Sequence, residues 1–430
     1  MNYNERLNNL IPGGAHTYSR GLDQFPENAP QILDRGNGAY VWDADGNKYL
    51  DYGMGLRAVT IGYGYKPIAE AAIEQIYKGN NLTRPSTIEL KAAETITSLI
   101  PSAEMVKFAK NGSTVTSAAV KLARAYTGKK YIAICSDHPF FSYDDWFIGS
   151  TPVDCGIPNE IKSLTIKFKY NDIESLNRLF TEYKDQIAAV ILEPVTLDAP
   201  VDNFLHKIKD LCKKNGAVFI LDEMITGFRW DLQGAQKYFD ITPDLSTFGK
   251  GMANGFSVAA LVGKKEIMNL GGITDPNKDR VFLISTTHGA EMCGLGAFVK
   301  TVEVYKELDV IGHVWDYGQK LKDGMNNLAK KHGISDYFEV QGYPCSPNYM
   351  TKDRNNNSSL EFRTLFSQEM VNSNILMACI ALCYQHGDKE LEMTLKGVDK
   401  SLGVYAAALE DGVTKYLKGK VIKPVFRKKN

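Results

Sequence analysis

The stretch AVFILDEMITGFRW, residues 217–230, sets the architecture. Five apolar residues, Ala217 to Leu221, run without interruption into two acids, Asp222 and Glu223. A short continuous apolar run bounded by polar residues reads as a strand covered on both faces, the kind found in parallel sheets between helices. The pattern recurs on either side, in YIAIC at 131–135, AAVILEPV at 188–195 and AALVG at 259–263. Between these runs, 172–184 and 202–214 carry the apolar spacing of amphipathic helices. Such alternation predicts an α/β fold with a mainly parallel sheet.

The flanking sequence differs. AYVWDADGNKYLDYGMG, 39–55, holds two short β-type runs around a DADG turn and predicts a hairpin. After about 310 the pattern becomes mostly helical, with a polar turn at 353–358. A chain of 430 residues exceeds the roughly 250–300 that one core supports. We therefore expect an N-terminal segment 1–64, a large domain 65–309 and a smaller α+β domain 310–430. Lys plus Arg equals Asp plus Glu at 50 each, so charge points to neither nucleic acid nor an acidic membrane. The seven cysteines form no CxxC pair, which fits reduced thiols. Cys379 and Cys383 read as core packing four apart on a helix rather than as metal ligands. The polar start MNYNERLNNL lacks the apolar core of a signal peptide, and no run approaches the roughly 20 apolar residues of a membrane span. The expected location is the cytoplasm.

Chemistry enters at the strand ends. Asp222 ends a buried run, where α/β sheets bind ligands, and a buried acid needs a cationic or hydrogen-bonding partner. A pyridinium nitrogen would be such a partner; a turn or helix-capping aspartate is the plain alternative. PDLSTFGK, 243–250, then places Lys250 among Phe248, Gly249 and Gly251. Small neighbours allow close approach, and lysine is the side chain that forms Schiff bases. A solvated loop lysine is the alternative. MVKFAKNGSTVTSAAVKLAR, 105–124, is a strand running through Asn111-Gly112-Ser113-Thr114 into an Ala-rich helix, a place for a phosphate on free N–H groups. Capping by Ser113 or Thr114 would explain the same residues. In AICSDHPFFSYDDWFIG, 133–149, Phe140 or Phe141 could cover a planar ring, and His138, before a proline, is given no role.

The blocks DEMITGFR, STFGKGMANG, KNGSTVTSAAVKLARAYTG and STTHGAEMCGLGA resemble the four signature blocks of class III aminotransferases. PGGAHTYSRG and the block spacing are similar to the glutamate-1-semialdehyde 2,1-aminomutase branch. The resemblance covers nearly the whole chain. It implies fold type I, with a large α/β domain and a small domain from both termini, working as a homodimer with shared active sites. It implies pyridoxal 5'-phosphate as cofactor, held by Lys250 as a Schiff base, with Asp222 on its ring nitrogen. Gly112 and Ser113 match phosphate positions, Phe140 the stacking aromatic and Met224 the residue on the other ring face. Glu193 lies in the family's Glu-Pro block. Thr286 matches a threonine that reaches a phosphate in the neighbouring subunit, and Arg20 an arginine that meets a substrate carboxylate. No metal is implied. The chain departs at Thr114, where an acid is usual, and at Thr17–Arg20. The late Pro-Ser-x-Phe-Glu block is not recognisable near 377–386. The implied activity is amino-group transfer, as a mutase or as a transaminase acting on an amino sugar or specialised-metabolite carbonyl.

Overall fold

The computed structural model describes residues 2–277, 279–289 and 291–429. The chain divides into two compact units, one spanning Lys66–Ile311 and the other joining the chain up to Tyr65 with Gly312–Arg427.

In the first unit, seven strands of the described residues form one sheet. They are β1 (Met105–Ala109), β2 (Tyr131–Cys135), β3 (Thr165–Phe168), β4 (Ile187–Leu192), β5 (Val218–Asp222), β6 (Leu245–Phe248) and β7 (Ala259–Gly263). Their order is β1-β7-β6-β5-β4-β2-β3. Neighbours from β6 to β3 pair in parallel, and β7 runs antiparallel to both β1 and β6. The carboxyl ends of β1, β2, β4, β5 and β6 therefore share one edge. Every residue of β4 and β5 is buried, the reason both read as unbroken apolar runs.

Helices α1 (Lys66–Tyr77), α2 (Gly112–Thr127), α3 (Ile173–Glu182), α4 (Phe204–Lys214) and α5 (Met292–Leu308) accompany the sheet. Ala133, Val190, Leu192, Phe219 and Leu221 join Leu176 and Phe180 of α3 and Phe204, Ile208 and Cys212 of α4 in one apolar cluster. The alternate side chains of β5, Ile220 and Asp222, point to the opposite face. α2 packs across β4 to β7 and ends at Gly128, whose φ of 67° supplies the left-handed turn of a helix C-terminus.

In the other unit, Leu33–Asn37, Tyr40–Asp43 and Lys48–Asp51 form an antiparallel meander, joined in parallel by Ile375–Leu376. The DADG turn is closed by the Asp43 carboxylate, which accepts from the N–H groups of Asp45 (3.0 Å) and Asn47 (2.8 Å). Helices Leu360–Asn372 and Asp388–Asp411 and most of Val310–Lys331 complete it. One sequence expectation is overturned here. The segment 377–386, which carries Cys379 and Cys383, is not a helix. Its apolar residues are buried, but its backbone bonds to a segment distant in sequence: Ala381 N–H donates to the Tyr52 carbonyl (2.7 Å) and Tyr384 N–H to the Thr60 carbonyl (2.8 Å). That partner outcompetes helix formation. No helix of the described residues is long and apolar enough to cross a membrane.

Candidate active site

Asp222 is the last residue of β5 and only 2% exposed. Its Oδ1 accepts from Met224 N–H (3.0 Å) and Thr247 Oγ1 (3.0 Å). Thr247 stands opposite Asp222 in the β5–β6 register, so one strand pairing provides that donor. Burial pushes the Asp222 carboxyl up to about 6, against the pull of the Met224 N–H, the Lys250 charge and the Thr247 hydroxyl. The amine at 250 and the acid at 222 thus act on one another.

Lys250 follows β6 by two residues and is partly buried. Its φ is 44°, a left-handed conformation uncommon outside glycine and asparagine, which marks a position held by its surroundings. Met224 joins the loops. A β-carbon added at Gly112 would lie 2.9 Å from Met224 Sδ, and one added at Gly249 only 2.6 Å. The thioether therefore rests against two bare backbones, the first residue of α2 and the residue before Lys250.

The cap of α2 is Asn111, not Ser113 or Thr114: Asn111 Oδ1 accepts from Thr114 N–H (3.0 Å) and Thr114 Oγ1 (3.1 Å). Because Asn111 satisfies the third N–H of the helix, the Ser113 side chain is released from capping. Ser113 Oγ instead accepts from Tyr143 N–H (3.0 Å), tying the loop after β2 to the helix start. Thr116 Oγ1 donates to the Phe141 carbonyl (2.8 Å) and Trp146 Nε1 to Ser117 Oγ (2.8 Å), adding two more stitches. In that loop the Phe141 ring is buried, while Phe140 is 45% exposed with its edge against Phe147. Of the two aromatics, Phe140 has the accessible ring.

Glu193 follows β4 and is buried; its N–H donates to His138 Nδ1 (3.0 Å). Glu223, beside Asp222, has a separate task. Its carboxylate accepts from Thr226 Oγ1 (2.5 Å) and from the N–H groups of Ala235 and Gln236 (both 2.8 Å), closing the loop after β5. Thr286 is exposed in a turn closed by Gly289 N–H on the Thr286 carbonyl. Ala290, in the same block, lies outside the described residues. Arg20 is exposed at the end of the short turn Tyr18–Arg20, in the other unit. Gly112, Ser113, Asp222, Met224 and Lys250 are thus brought to one sheet edge. Asn111, His138, Thr247 and Glu223 were not given these tasks from sequence. Asn111 had a readable signal, an asparagine directly before a helix.

This donor set fits a phosphate-bearing pyridine aldehyde. The first N–H groups of α2 suit the phosphate, the buried acid suits a protonated ring nitrogen, and the neighbouring amine suits the aldehyde. The glycines at 112 and 249 leave the space that a β-carbon would fill. Among the described residues no group of His, Cys, Asp and Glu is arranged to hold a metal ion.

Comparison with known proteins agrees. Residues 24–365 match the family model described as Aminotransferase class-III. The chain is 32% identical over 412 residues to 3-aminobutyryl-CoA aminotransferase of Cloacimonas acidaminovorans (strain Evry), covering 94% of this chain and 96% of that one. It is 30% identical over 416 residues to glutamate-1-semialdehyde 2,1-aminomutase of Alkaliphilus oremlandii (strain OhILAs), covering 92% and 96%. Among solved structures, the FumI protein of Sphingopyxis sp. MTA144 in its PLP internal aldimine form superimposes with a TM-score of 0.86 at 25% identity, over 95% of this chain and 97% of that one. An omega-transaminase from Sphaerobacter thermophilus gives 0.82 at 25% identity, over 95% and 96%. The chain belongs to the class-III aminotransferase family.

Proposed function

We propose that this chain moves amino groups between small-molecule amine and carbonyl substrates with Lys250 and Asp222 at the centre of the reaction. Family membership makes it a pyridoxal-phosphate-dependent aminotransferase; the proposal concerns which residues do the work. Bound pyridoxal phosphate supplies an aldehyde that condenses with amines and a ring that takes up the electron pair released at the substrate carbon. Lys250 Nζ would hold the cofactor covalently, and its freed amine would take the proton from the substrate carbon. Asp222 keeps the proton on the ring nitrogen. The N–H groups of Gly112 and Ser113 bind the phosphate, Phe140 covers one ring face and Met224 the other. Glu193 orders the site. Thr286 reaches the phosphate of a neighbouring subunit in a homodimer, and Arg20 meets a substrate carboxylate. Unpaired cysteines fit a cytoplasmic, reducing compartment.

The observation that carries the reading is the position of Met224 Sδ against both Gly112 and Gly249. It supports one pocket floor joining the phosphate helix, the acid and the amine. Lys250→Ala and Asp222→Ala should each keep the fold while turnover falls by about a hundredfold to a thousandfold, the scale of removing a group that acts in the transition state. Near-parent turnover in either variant would refute the assignment.

The relatives carry two kinds of name, aminotransferase and aminomutase. Thr114, in place of the usual acid, and the unmatched late block favour a two-substrate transaminase acting on a substrate other than glutamate 1-semialdehyde. Turnover that requires an external amino donor would support that reading. Conversion of a single amino-carbonyl compound without any donor would return the chain to the mutases.

A further inference from the structure

His138 is a buried titratable group at this edge with no task in the reaction as described. It lies three residues beyond β2, in the loop that carries Phe140, and is 5% exposed. Nδ1 accepts from Glu193 N–H at 3.0 Å, which fixes the tautomer with its proton on Nε2. Nε2 is buried without a partner. Burial pushes the imidazole pKa down to about 4, so the ring is neutral near pH 7. The ring packs against Tyr170 (centroids 5.2 Å) and Phe141 (6.1 Å). Tyr170 is anchored in turn, its hydroxyl donating to the Pro194 carbonyl (2.7 Å) and its N–H to the Asp137 carboxylate (2.7 Å). These bonds tie the loop after β2 to the chain leaving β4 at Glu193-Pro194.

An apolar ring would fill this space without the unbonded Nε2–H, but it would take away the acceptor of the Glu193 N–H. What imidazole adds, and packing alone does not, is an acceptor for the Glu193 N–H. Buried polar groups that fold stability does not favour concentrate at functional sites. We propose that His138 is a positioning residue for amino transfer, fixing the backbone of Glu193 and the loop bearing Phe140 through its Nδ1. This rests on the amino-transfer site lying at the same sheet edge.

The test compares holoenzyme with His138→Phe and His138→Asn, reading the visible absorbance of bound cofactor, the pH midpoint of that band, kcat, KM and melting temperature. Asparagine presents Oδ1 where histidine presents Nδ1. We expect His138→Phe to move the midpoint and to lower kcat about tenfold or more at little changed KM and melting temperature, as a small misplacement of site groups does. His138→Asn should recover both. A parent-like spectrum and kcat in His138→Phe would overturn the proposal, as would His138→Asn as impaired as His138→Phe. So would failure of both His138→Phe and His138→Leu to fold, since the residue would then be structural. Borohydride fixation of cofactor on Lys250 in the same variants keeps the two readings apart: fixation with unchanged spectra sinks the role of His138 alone.

Discussion

Asp222 owes its chemistry to where the strand ends. Free in water its carboxyl would be ionised well below pH 5; buried, it is pushed up to about 6. A protonated ring nitrogen needs that carboxylate ionised. Cofactor affinity of the apoprotein should therefore be level above about pH 6 and fall by up to about tenfold per unit below it, because Asp222 must then give up a proton on binding. The cofactor phosphate titrates in the same range, so the informative quantity is the difference from Asp222→Asn, measured by equilibrium binding at several pH values. Identical pH dependence in the two proteins would contradict the pairing. The placement of Asp222 and Lys250 at strand ends was legible in the sequence, Asp222 because it ends an apolar run and Lys250 because it stands among Phe248, Gly249 and Gly251. His138 was not, since a histidine before Pro139 reads as loop. Its burial comes from Tyr170 and the chain at Glu193, more than 30 and 50 residues away.

At the scale of elements, the loops after β5 and β6 and the start of α2 meet on a thioether and two glycines. Gly249 has an extended φ of −177°, so alanine there is not strained by its backbone. Its β-carbon would instead collide with Met224 Sδ. Gly249→Ala should cost about 1–3 kcal/mol of stability, the usual range for overpacking, and weaken cofactor binding. Adding Met224→Val removes the colliding sulfur and should recover much of both, as read by denaturant unfolding and binding titration. A double variant no better than the single one would show that the contact is not the cause. The parallel strands were readable because β4 and β5 are buried along their whole length. The segment 377–386 was misread because an apolar run without glycine or proline resembles a helix, while its hydrogen-bond partners at Tyr52 and Thr60 are over 300 residues away.

For the whole molecule, two buried histidines make stability depend on pH. His138 and His386, one in each unit, are both pushed down to about 4 by burial. In the unfolded chain each titrates near 6.5, so the unfolded state binds protons first as pH falls. Their contribution is complete above about pH 6.5 and is lost between there and about pH 4, by up to about 3 kcal/mol for each histidine. Asp222, raised in the folded apoprotein, works the other way: its contribution is present below its unfolded pKa and lost as pH rises through about 6. Denaturant unfolding of apo Asp222→Asn should therefore lose stability between pH 7 and 5 more steeply than the parent does. Replacing His386 as well should flatten the curve. Equal slopes in all three proteins would contradict this account.

The claim on which the rest depends is that the amine at position 250 holds the cofactor. Borohydride reduction of the holoenzyme, followed by proteolysis and mass spectrometry, reads this directly. The account predicts the reduced cofactor mass on the peptide containing Lys250, and none in Lys250→Ala. A label on another lysine, or cofactor that binds and turns over without ever being fixed, would contradict it.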